Sequence, residues 1–184
     1  MVLTKQQKIV LGILGGIILI AAAVVAFWLY QKQYAVLPET VAVFSNEPGE
    51  APYTDLLGNP VSLPQYLGQV LVVVSWASWS PFSQADLLML QELSDQYPQE
   101  QVVFMAINRK ETKEQAARYL STLPALEGII VVLDPRDNFY TAVGGYAMPE
   151  VVIYTPQGEV AAHERGVAGR DSIEKTVSKL LSGE

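Results

Sequence analysis

Two serines three residues apart, Ser80 and Ser83, close the stretch Trp76-Ala-Ser-Trp-Ser-Pro-Phe-Ser83. They stand where an apolar run passes into a helical pattern, a usual place for reaction chemistry. As nucleophiles they would need a base within hydrogen-bonding reach. The only histidine, His163, lies far downstream, and no Gly-x-Ser-x-Gly elbow is present. Capping is the simpler role: Ser80 as N-cap, with Pro81 at the first helical position, where a missing N–H costs nothing. The chain has no cysteine, which excludes disulfides, thiolate catalysis and cysteine metal sites. With a single histidine, a clustered zinc site is not expected, nor any other metal or cofactor. The acidic pairs Glu111/Glu114 and Asp134/Asp137 are expected to face solvent or cap helices, and His163 to lie at the surface of a strand. Trp76 is expected in the core.

These residues need elements to hold them. Val70–Trp76 is a nearly continuous β-branched run, the mark of a strand buried on both faces. The helix expected from Ser80 carries Leu87, Leu90, Leu93 and Tyr97 at three- and four-residue steps and stops by Pro98. Val102–Ile107 and Ile129–Leu133 read as further buried strands. Thr112–Leu120 reads as a helix with Ala116, Ala117 and Leu120 inward, and a short helix is expected around Asn138–Val143. Glu150–Tyr154 and Val160–His163 flank Pro156-Gln157-Gly158 as a hairpin. Arg170–Leu181 closes the chain as a helix with Ile173, Val177, Leu180 and Leu181 on one side. Gly58-Asn59-Pro60 suggests an earlier hairpin. Helices alternating with buried strands, followed by a hairpin, predict an α/β sandwich: a mixed central sheet with helices on both faces.

Ile9 to Gln31 carries no charge and is bracketed by Lys8 and Lys32. About 20 apolar residues span a bilayer, so residues 9–30 are expected to form a transmembrane signal-anchor helix. Residues 1–8 would be a cytoplasmic tail, 31–52 a linker with one short strand at Val41–Phe44, and 53–184 the folded domain. A cleaved signal peptide is the rival reading; the continuation through Phe27-Trp28-Leu29-Tyr30 favours an uncleaved anchor. Lys5 and Lys8 on the near side favour a cytoplasmic N-terminus and an extracytoplasmic domain. All 19 acids follow residue 38, and the formal net charge is -7. An acidic domain repels phosphate backbones, so nucleic acid is not expected as a partner.

The order of elements, together with Trp76-Ala-Ser-Trp-Ser-Pro-Phe-Ser83 and Tyr146-Ala-Met-Pro-Glu-Val-Val-Ile-Tyr154, resembles the thioredoxin-like superfamily, and within it the membrane-anchored TlpA/ResA (redoxin) branch. The resemblance covers about residues 50–182. It implies that Pro149 is a cis-proline beside the site, that Thr155-Pro-Gln-Gly158 matches the family's D-x-x-G turn, and that Gly166 matches a glycine before the last helix. It also places Ser80 and Ser83 where the family carries its attacking and resolving cysteines. Val74 stands where the family has a buried acid or amide, and Glu150 where it has threonine.

Thiol–disulfide exchange requires a thiolate, and a serine hydroxyl forms no stable disulfide. The expectation is therefore a binding module that has lost redox activity. It would keep a groove lined by Trp79, Pro81, Phe82, Met148 and Pro149 for an extended peptide or protein partner. The alternatives are a thiol–disulfide oxidoreductase of the family kind, contradicted by the serines, and a purely structural membrane-tethered domain.

Overall fold

The computed structural model describes residues 52–183, together with Lys5, Val24 and Val25, which are helical. The expected anchor, linker and strand at Val41–Phe44 lie outside the described residues, apart from those positions. Among the described residues no helix is long and apolar enough to cross a membrane. By compactness the chain divides into Met1–Thr40 and Val41–Glu184, and the sheet described here belongs to the second unit.

Seven strands form one mixed sheet: β1 (Tyr53–Asp55), β2 (Pro60–Val61), β3 (Val70–Trp76), β4 (Val102–Arg109), β5 (Ile129–Asp134), β6 (Glu150–Tyr154) and β7 (Val160–Arg165). Their spatial order is β2-β1-β5-β4-β3-β6-β7. The three central strands β5, β4 and β3 are parallel; β6 lies antiparallel to β3, and β7 to β6. Parallel neighbours require crossovers, supplied by α1 (Ser83–Ser94) between β3 and β4 and α2 (Lys113–Leu120) between β4 and β5. A short α3 (Asn138–Ala142) follows β5, and α4 (Arg170–Ser182) follows β7.

The β-branched runs are buried on both faces because side chains alternate across a strand. Val70, Val72, Val74 and Trp76 enter one core with Leu87, Leu90 and Leu93 of α1, Ala116 of α2, and Ile173 and Val177 of α4. Leu71 and Val73 enter the other core with Phe139 of α3, Leu63 of a 3-10 turn, and Tyr53 and Val61 of the first hairpin. Helices thus cover both faces of the sheet, as the alternation implied. Trp76 is fully buried.

Three details depart from expectation. The helix expected from Ser80 begins at Ser83, with Phe82 at the N-cap and no side-chain cap. Residues 77–83 turn first: Ser80 N donates to the Ala77 carbonyl (3.0 Å) and Ser83 N to that of Ser80 (3.3 Å). The i→i+4 ladder opens only with Asp86 N to Phe82 O at 3.1 Å. Ala117 and Leu181 are exposed rather than inward, because the buried stripes of α2 and α4 are narrower than the apolar residues available. The start of α2, by contrast, is fully capped. Thr112 Oγ1 accepts from Gln115 N (3.3 Å), and Gln115 Oε1 accepts from Thr112 N (3.0 Å).

Leu90 joins α1 to β3 and so fixes the helix whose first turn carries Ser83. Leu90→Ala should cost about 3 kcal/mol through lost burial and a residual cavity, read by urea unfolding. A loss below about 1 kcal/mol would show that α1 docks loosely enough to collapse into the gap.

Candidate functional site

Ser75 of β3 lies opposite Glu150 of β6, so the turns after β3 and the loop that precedes β6 meet at one edge of the sheet. That edge also receives the C-terminal ends of β4 and β5. Crevices beyond the carboxyl ends of parallel strands are the usual location of sites in α/β sheets. The Met148–Pro149 peptide bond is cis.

Ser80 and Ser83 are both buried. The Ser80 hydroxyl lies 3.4 Å from Phe82 N, a marginal contact. Ser83 is bound on both sides: its Oγ donates to the Ala77 carbonyl (2.9 Å) and accepts from Ala77 N (3.1 Å). Neither hydroxyl has an acid or base as hydrogen-bond partner among the described residues, so neither is activated as a nucleophile. Trp79, Pro81 and Phe82 are exposed on the turn, Trp79 by 59% and Phe82 by 46%. Met148 is half-buried and Pro149 buried, so on the cis-proline loop Met148 supplies the accessible surface.

Several residues that position this edge carried no functional signal in the sequence. Glu111, expected to face solvent or cap a helix, is buried. Its Oε2 accepts from Ser78 N (2.9 Å) and Asn108 Nδ2 (2.6 Å), and its Oε1 accepts from the Ser78 hydroxyl. One carboxylate thus ties the turn after β3 to the end of β4. Glu114 does face solvent. Asp134 and Asp137, expected to face solvent or cap a helix, are both buried, and Asp134 does cap. Asp134 Oδ2 caps α3 by accepting from Phe139 N at 2.8 Å. Asp137, at the N-cap with φ 61°, makes no cap bond. Instead it takes a bidentate pair from Arg109, Nε to Oδ1 at 2.6 Å and Nη2 to Oδ2 at 2.7 Å. The Arg109 bond is the main reason its carboxyl lies below the usual range.

His163 is likewise not a surface residue. Its side chain is 5% exposed, and Nε2 lies 2.6 Å from Oε2 of the fully enclosed Glu150. Glu150 Oε1 accepts from Tyr146 N (2.9 Å) and Ala147 N (3.0 Å). The residue in the family's threonine position therefore clamps the loop that leads into Pro149. The Arg109 guanidinium sits 3.2 Å above the centroid of Tyr140, and Tyr140 Oη donates to the Ala147 carbonyl (2.9 Å). The ends of β4 and β7, with Tyr140 of α3, thus bear on that loop. A hint was available in the spacing, since polar residues just past the end of a buried strand are drawn into the edge they terminate.

Asp86 is the remaining buried acid. It occupies the inner stripe of α1, four residues before Leu90, and its Oδ2 has no partner among the described residues. Burial pushes its carboxyl up to about 6 from 3.8. Because the folded value lies above the unfolded one, the folded state holds its proton more tightly, and stability is lost as pH rises through that window. Asp86→Asn should therefore gain on the parent by about 2 kcal/mol between about pH 4 and about pH 8. Denaturant melts at both pH values measure it, and a pH-independent difference would show that Asp86 is not buried as an acid.

Residues 37–181 match the model of the Redoxin family. The thiol-disulfide oxidoreductase ResA of Geobacillus kaustophilus is 25% identical over 180 residues, covering 96% of this chain and 98% of that protein. Among solved structures, a putative thiol:disulfide interchange protein DsbE from Chlorobium tepidum superposes with a TM-score of 0.64 at 22% identity, over 72% of this chain and 95% of that one. A putative thioredoxin from Neisseria meningitidis gives 0.63 at 18% identity, over 71% and 86%. The sheet order, the cis-proline beside the turn after β3 and the span of the match lead to one assignment: the chain belongs to the Redoxin family, as a thioredoxin-like domain of the TlpA/ResA type.

Proposed function

We propose that this chain is a membrane-tethered, extracytoplasmic thioredoxin-like domain without redox activity, which holds an extended segment of a partner protein at the edge formed by Trp79, Pro81, Phe82, Met148 and Pro149. The observation that carries the reading is the state of the cis-proline loop. The N–H groups of Tyr146 and Ala147 are taken by Glu150, the carbonyl of Ala147 by Tyr140, and the carbonyl of Pro149 by Gly166 N. The N–H and C=O of Met148 have no partner among the described residues. An extended peptide uses such a free backbone pair as a strand would, and apolar side chains alongside supply pockets for alternate residues. Trp79 and Phe82 stand exposed on the turn that ends at the same edge of the sheet.

The tether rests on the uncharged run from Ile9 to Gln31 and the lysines that flank it. The relatives named as oxidoreductases favour a second reading, thiol–disulfide exchange. Its chemistry needs a thiolate that a chain without cysteine does not carry.

Two measurements separate the readings. Incubated with a disulfide substrate and reductant, the native chain should reduce no faster than the protein-free control; a faster rate would replace the binding reading with the enzymatic one. In cells, a photo-crosslinker at Phe82 should capture a partner that a crosslinker at exposed Lys175 of α4 does not. Identical or empty captures from both positions would remove the groove from consideration.

A further inference from the structure

The loops at the two ends of the sheet differ in the sign of their exposed charges. Along the site edge, the turns and loops at 77–82, 110–112, 135–137 and 143–149, with the flanking Lys113 and Arg165, contain six charged residues. Two are acids, Glu111 and Asp137; both are buried and consumed by internal partners. The other four, Lys110, Lys113, Arg136 and Arg165, are exposed cations. The nearest exposed acids stand on the helices beyond them: Glu114, one residue further into α2, and Asp171, in the first turn of α4 after the uncharged loop 166–169. Lys110, 63% exposed, touches Asp137 at 3.2 Å, but Arg109 already satisfies that carboxylate. Arg165 lies 5.3 Å from the ring centroid of Tyr146, which is 78% exposed.

The opposite end is the reverse. Its connections at 95–101, 121–128 and 155–159 expose Asp95, Glu100, Glu127 and Glu159 and hold no lysine or arginine. A chain of net charge -7 thus shows a cationic rim at the end where Trp79, Phe82, Met148 and Tyr146 supply apolar surface. An apolar centre ringed by charge of one sign is the layout of an interface whose partner carries the other sign.

We infer that the segment held at this edge is an acidic peptide: an extended stretch with one or two apolar side chains for Trp79 and Phe82, flanked by aspartate or glutamate facing Lys110, Lys113, Arg136 and Arg165. This rests on the groove reading above and adds the chemistry of its ligand. A phosphate-bearing lipid surface would also meet the cations. It would leave the free N–H and C=O of Met148 without a strand partner, so the peptide is the better fit. Single exposed charge pairs are weak, and the rim acts by summing four of them and steering the approach, an effect that salt screens over about 10 Å at 0.1 M.

The test is selection from a library of random twelve-residue peptides on the full-length chain in nonionic detergent, run in parallel on Phe82→Ala and on the double variant Lys113→Glu/Arg136→Glu. Peptides enriched by the native chain should be rich in Asp and Glu and lost with Phe82→Ala. They should bind the double variant about tenfold more weakly at low salt, with the gap closing as salt rises. Enrichment of neutral or basic peptides that still depends on Phe82 would overturn the acidic ligand and leave the groove reading standing. Enrichment no better than on Phe82→Ala would sink both. If Lys110 and Lys113 are instead shielded from acetylation by phosphatidylglycerol-doped micelles and not by phosphatidylcholine ones, with no acidic peptide enriched, the rim serves a lipid surface and the inference is wrong. Self-association abolished by the double variant, again with no acidic peptide enriched, would assign the rim to a second copy and equally overturn it.

Discussion

Glu150 is a carboxylate enclosed by protein on every side, and the geometry of the site edge depends on how it is satisfied. A buried charge is tolerated only when its lone pairs are occupied. Here two backbone amides from the incoming loop and the His163 ring occupy them. The loop is therefore held from beneath, and Met148 is presented outward with its own backbone groups unspent. A smaller hydroxyl at this position could not reach the two amides and the ring together. The start of β6 and the end of β7 are in this way one unit, with the polar network of Arg109, Asp137 and Tyr140 bracing it from the other side.

The turn after β3 is fixed by the same kind of device. Glu111 grips Ser78 from the end of β4, and Ser83 binds Ala77 in both directions. Two serines that first suggest chemistry are thus employed as structural ties, one strongly and one weakly. Nothing beside them removes a proton from a hydroxyl. The exposed members of the same turn, Trp79 and Phe82, are the ones free to meet another molecule.

The sheet is legible in the sequence because strands buried at both faces leave a continuous apolar record, and Val70–Trp76 and Glu150–Tyr154 have the bounds that record implies. The cis-proline could be placed only through family resemblance. The start of α1 departs from expectation because Ser80-Pro81 has the local chemistry of a cap, while the tie from Ser83 back to Ala77 shapes a turn first and moves the N-cap two residues on, to Phe82. The burial of Glu111, Asp137 and His163 is not legible in the sequence because burial of a charge depends on a partner supplied from a distant strand, and one-dimensional periodicity does not record partners. Asp86 is the one buried acid with a visible trace, a polar residue standing in an otherwise leucine stripe.

The reciprocal bond between Ser83 and Ala77 bears on what a sulfur atom at that position would do. An oxygen there is a compact donor and acceptor wedged between two backbone groups; sulfur is larger, and poor at both roles. Cysteine at 80 and 83 would install thiols and at the same moment cut the stitch that now shapes their surroundings. A chain altered in this way would gain two thiols and lose stability at the turn that holds them.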